Sequence, residues 1–83
     1  MTQQITVVVS NTLNPDPIEI NAGDVVVWQN NTTVVQTATS EDGGETFTTG
    51  PIQQNASSMP IAVPETTGYT VSPAGFQGNI SVG

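Results

Sequence analysis

The stretch "NAGDVVVWQNNT", Asn21–Thr32, decides the fold. It opens with a turn signal, Asn21-Ala22-Gly23-Asp24, whose residues favour a chain reversal. A run of Val25, Val26 and Val27 follows. These side chains branch at Cβ, which favours a pleated strand over a helix. Val26 and Trp28 lie two residues apart, so on a strand they share one face. That face is the expected core. Asn30, Asn31 and Thr32 then return the chain to loop chemistry.

The same grammar extends in both directions. "QQITVVVS" (Gln3–Ser10) alternates, with Ile5, Val7 and Val9 on one side and Thr6, Val8 and Ser10 on the other. "NTLNPDP" is a loop forced by its prolines. "IEI" (Ile18–Ile20) reads as a short strand. Thr32–Ser40 reads as another, and "EDGGE" (Glu41–Glu45) as a polar turn. Phe47 is an expected core anchor. Ala56–Pro64 reads as a strand that Pro60 demotes toward an edge or a bulge. "TTGYTVS" and "NISV" are the last two strands, with the loop of "YTVSPAGFQG" (Tyr69–Gly78) between them. The expected architecture is all-β: one domain over residues 1–83, a small Greek-key sandwich or barrel of about seven short strands.

Composition excludes much chemistry. The chain has 83 residues, no Lys or Arg, no His, no Cys, and a formal net charge of −7. Side-chain ion pairs cannot form. Nucleic-acid binding relies on cations that neutralise phosphates, so no nucleic-acid partner is expected. Anionic membrane surfaces are disfavoured for the same reason. No stretch has the length of a membrane-spanning helix. Without His or Lys, Ser57, Ser58 and Ser72 have no base to activate them. No enzymatic role is therefore expected. Glu41, Asp42 and Glu45 could be weighed as calcium ligands, but their spacing fits a solvated turn better.

The order of segments resembles the cupredoxins, the plastocyanin and amicyanin type of blue-copper sandwich. The residues that carry the resemblance are Gly23-Asp24, then Val26, Trp28 and Asn30, then Gly68 and Tyr69, then Gly78, Ile80 and Val82. The resemblance covers most of the chain. It implies a copper site built from a His after the Trp-Asn segment and a Cys, His and Met on the last loop. Here those positions hold Gln36, Val71, Ala74 and Phe76. Blue copper needs a thiolate and imidazoles, and this chain has neither, so no cofactor and no metal are expected. The four replacements read as packing. Val71 is expected in the core, and Ala74 and Phe76 are expected to close the end of the sandwich with apolar atoms. Gln36 is expected to satisfy its amide within the loops, and Asn30 to tie the two loops together.

What remains is surface. The sequence points to a structural protein–protein interaction module in a homo-oligomer or hetero-assembly. The partner would be a capsid or surface-layer protein, with the chain decorating a virion surface. The other reading is a secreted or periplasmic domain that binds a small ligand or glycan at the cell surface, derived from an electron-transfer cupredoxin. A docking edge is expected near Met1 or around Met59-Pro60. Seven uncompensated carboxylates repel one another, so added salt, or mild acidification toward pH 5, should raise the melting temperature. Thermal unfolding followed by circular dichroism at low and high salt checks this, and a fall under both conditions would contradict it.

Overall fold

The runs of β-branched residues produce strands, and turns at Gly, Asn and Asp separate them. The computed structural model describes residues 3–14 and 16–83. The strands are β1 (Gln4–Val9), β2 (Leu13–Asn14), β3 (Ile18–Ile20), β4 (Val25–Asn30), β5 (Thr37–Ser40), β6 (Ile61–Ala62), β7 (Thr67–Ser72) and β8 (Phe76–Val82). No helix occurs among the described residues. The strands form two sheets, in the orders β2-β1-β4-β6 and β3-β8-β7-β5. Two pairings are parallel. β1 runs beside β4 from Gln4↔Val25 to Val9↔Asn30, and β3 beside β8 from Ile18↔Ile80 to Ile20↔Val82. The remaining pairings are antiparallel.

The core lies between the sheets. Val7, Val9, Val26 and Trp28 face inward from the first sheet, and Ile18, Ile20, Ala38, Tyr69, Val71 and Ile80 from the second. Trp28 is fully buried. Its ring stacks on Phe47 at a centroid distance of 5.1 Å and meets the edge of Tyr69 at 5.3 Å. Neither the Trp28 indole nitrogen nor the Tyr69 hydroxyl has a hydrogen-bond partner. Burial pushes the Tyr69 phenol up to about 12, partly offset by the neighbouring Trp28 indole N–H. The two polar groups thus face each other without reaching hydrogen-bond geometry. Tyr69 lies opposite Gly78 in the sheet. A Cβ at position 78 would fall 2.6 Å from the Tyr69 hydroxyl, so only glycine lets the ring lie across β8.

The structure differs from the sequence reading in four places. There are eight strands rather than about seven. Thr32–Val35 is loop, Gln36 makes an isolated pairing with Ile52, and the strand begins at Thr37. The side chain of Asn30 accepts from the Thr32 N–H and donates to the Val34 carbonyl, which draws this segment away from a sheet ladder. Within Ala56–Pro64 only Ile61–Ala62 is a strand, and Ser57 makes an isolated pairing with Gln29. Pro60, which lacks an N–H, separates the two. Finally, the loop between the last two strands is shorter than its sequence suggests, because Phe76, Gln77 and Gly78 already belong to β8. The edge expected near Met1 lies outside the described residues. At the other proposed edge Met59 is 78% exposed, but β6 beside it is two residues long.

The turn after β5 shows how this chain handles charge without cations. The Asp42 carboxylate accepts from the hydroxyls of Ser40 and Thr46 and from the Thr46 N–H. These donors, the Ser40 hydroxyl first, lower its pKa from 3.8 to about 2. Asp24 is lowered in the same direction by the backbone N–H groups of Asn21 and Gln3. A carboxyl with a depressed folded-state pKa stabilises the fold fully above about pH 4 and progressively less as pH falls toward 2. The Asp42→Asn variant should therefore melt lower than the parent at pH 7, with the gap closing between about pH 4 and pH 2. Paired melting curves across that range check it, and a constant gap would contradict it.

Candidate functional site

Gln36, Val71, Ala74 and Phe76 all lie at one end of the sandwich. There β4 ends at Asn30, β5 begins at Thr37, β7 ends at Ser72 and β8 begins at Phe76. Gln36 is 2% exposed. Its backbone pairs with Ile52 in both directions, at 3.1 and 2.7 Å. Its side-chain Nε2 donates to the Thr32 hydroxyl at 3.0 Å, and its Oε1 accepts from the Ala74 N–H at 3.0 Å. One buried amide therefore fastens the Thr32 loop to the last hairpin. Both halves of that amide are satisfied, which a buried amide requires.

Val71 is 1% exposed and belongs to the core. Phe76 pairs with it in the sheet and packs, partly buried, against the same core. The Gly75 N–H donates to the Val71 carbonyl at 2.7 Å and closes the turn, with Gly75 at φ 81°. Ala74 departs from the expected arrangement. Its side chain is exposed and closes nothing, and its contribution to this end is its backbone N–H. Asn30 also departs. Its Nδ2 donates to the carbonyls of Val34 and Ile52, both at 2.8 Å, and its Oδ1 accepts from Thr32. Asn30 therefore organises its own loop and the Ile52 segment, and Gln36 ties in the last hairpin.

Two features of this end were not drawn out of the sequence. Thr32 is the joint between Asn30 and Gln36. The signal for it was the Asn30-Asn31-Thr32 pattern, whose side chains fold back on their own backbone. Val34 and Val35 are 50% and 40% exposed, and Pro51, Pro73 and Ala74 are exposed as well. Their signal was a run of residues without charge, from Val25 to Ser40. A shallow depression of about 320 Å³ beside this end is lined by Ser10, Asn11, Asn31, Thr32 and Thr33, with no charged or aromatic side chain.

The donor set decides what this end can do chemically. An amide, two aliphatic groups and a phenyl ring do not fit copper, which the resemblance implies for this place. The other metal candidate fares no better, because the Asp42 carboxylate is engaged by Ser40 and Thr46. Among the described residues, no three acidic side chains come together as a cation site. Ser58 is likewise engaged in structure, accepting from the Trp28 N–H and donating to the Met59 carbonyl.

Comparison with solved structures agrees with this architecture. A purple cupredoxin from Nitrosopumilus maritimus superposes with a TM-score of 0.79 at 20% identity, over 95% of this chain and 99% of that one. A copper(I) mutant of amicyanin superposes with a TM-score of 0.77 at 16% identity, over 95% of this chain and 81% of that one. No protein-family model and no curated protein sequence matches the chain. The fold is the cupredoxin fold, and the chain lacks the ligands that resemblance to the blue-copper type implies. Gln36→Ala should cost roughly 1–3 kcal/mol, since it removes a fully bonded buried amide, and added Cu(II) should neither colour the parent protein nor raise its melting temperature. A copper-dependent rise, or an unaffected Gln36→Ala variant, would contradict this account.

Proposed function

We propose that the chain is a metal-free, non-catalytic protein–protein interaction module, a subunit of a larger assembly, on a scaffold that holds copper in its structural neighbours. The observation that carries this reading is the bond between Gln36 Oε1 and the Ala74 N–H at 3.0 Å. It joins, through the chain's own atoms, the two loops whose counterparts would be joined through a metal. The scaffold is thus retained with its loops ordered while donors for redox chemistry are missing. Shape and surface are what remain to be used. The exposed strand positions support this, since they carry Thr, Ser, Gln and Asn, which dock by hydrogen bonds.

The small-ligand or glycan reading draws less support. Sugar-binding grooves present aromatic faces to solvent, yet Trp28 and Tyr69 are fully buried and Phe47 is 5% exposed. A decorated capsid and a cell-surface layer are two assemblies that would suit the module. Density-gradient fractionation of native material, with the chain followed by mass spectrometry after non-tryptic cleavage, tests the reading. Sedimentation with particles or arrays is expected. Recovery only at the position of the free chain would overturn it.

A further inference from the structure

The charges of this chain are segregated. Asp24 lies in the turn before β4, Glu19 opposite Ser81 near the end of β8, and Glu65 just before β7. Glu41, Asp42 and Glu45 sit in the turn beyond Ser40, and Asp16 accepts from the Asn79 N–H. All seven carboxylates thus belong to the middle of the sandwich or to its other end. The end built from Asn30–Gln36, Gly50–Ala56 and Ser72–Phe76 contains no charged residue. It is also where the valines protrude, Val34 at 50% and Val35 at 40% exposure, and where Pro73 and Ala74 are exposed.

From this arrangement we infer that the uncharged end is a self-association surface, where a second copy of this chain docks end to end about a two-fold axis. The inference rests on the interaction-module reading and names its partner. Charge selects the occupant. A partner with cationic side chains is drawn to the acidic half, where it gains Coulomb energy. A second copy has no cationic side chain to offer and is repelled from the acidic half. At the uncharged end two copies can meet without opposing carboxylates. A two-fold contact there is isologous, so the same valines face each other. Strands of six residues span about 20 Å, so the acidic ends of the two copies are held much further apart than a Debye length of about 8 Å at physiological salt. The surface is also set in advance. Asn30, Thr32 and Gln36 hold the Val34–Val35 loop through both its side-chain and backbone groups, which reduces the ordering cost of association.

Sedimentation equilibrium of the purified chain from low micromolar to millimolar concentration tests the inference. A monomer–dimer equilibrium is expected. Val35→Asp and, separately, the exposed Ala74→Asp should each weaken it by about tenfold or more, because each sets like charges against each other across the axis. Met59→Asp, away from this end, should leave the dimer constant unchanged. Circular dichroism shows that each variant is folded, and Ala74 fills no core space, so its variant tests the surface alone. A monomer at every concentration would overturn the inference, as would a dimer indifferent to both substitutions. A purified monomer combined with native material that sediments in particles would overturn this inference and leave the interaction-module reading standing.

Discussion

The contact of Trp28 with Phe47 and Tyr69 holds the two sheets together. Trp28 comes from the first sheet, Tyr69 from the second, and Phe47 from the segment after β5 that belongs to neither. Aromatic side chains of this kind bury about 150–250 Å² each, roughly 4–6 kcal/mol apiece before conformational entropy is counted. A chain of 83 residues without cysteine has no disulfide to add to this. The rest of the sandwich is arranged around the trio. Gly78 makes room for the Tyr69 ring, Ser58 holds the Trp28 backbone, and the Ser40 hydroxyl accepts from the Phe47 N–H.

The second organising constraint is the absence of cationic side chains. Carboxylates at turns have only neutral donors, so hydroxyls and backbone N–H groups satisfy Asp42 and Asp24, and a strand N–H bonds Asp16. The same currency of amides and hydroxyls builds the uncharged end, where Asn30, Thr32 and Gln36 form one connected set. Both ends of the molecule are therefore locked by hydrogen bonds of similar kind, but only one of them carries charge.

Much of the fold was legible because it depends on period and bulk. The alternation of Val7 and Val9, the face shared by Val26 and Trp28, and the brevity of Ile18–Ile20 follow from residue types alone. What was not legible depended on where individual side-chain bonds go. Thr32–Gln36 has strand-forming composition, yet Asn30 takes the Thr32 N–H and Val34 carbonyl that a ladder would need. Ala74 looked like apolar filling because the sequence does not show which way a turn residue points. Gln36 was visible as a replaced ligand position. Its reach to Ala74 across 38 residues is a property of the assembled end and not of any local pattern.

The strand order has a consequence for how the chain reaches this state. β8 lies between β3 and β7, so the second sheet is joined through it. Without Phe76–Val82, β3 has no neighbour in that sheet. Pairing Ile18 with Ile80 joins residues far apart in the sequence, a loop closure that slows folding. Loss of β8 by proteolysis would release β3 and strip β7 of a neighbour at once.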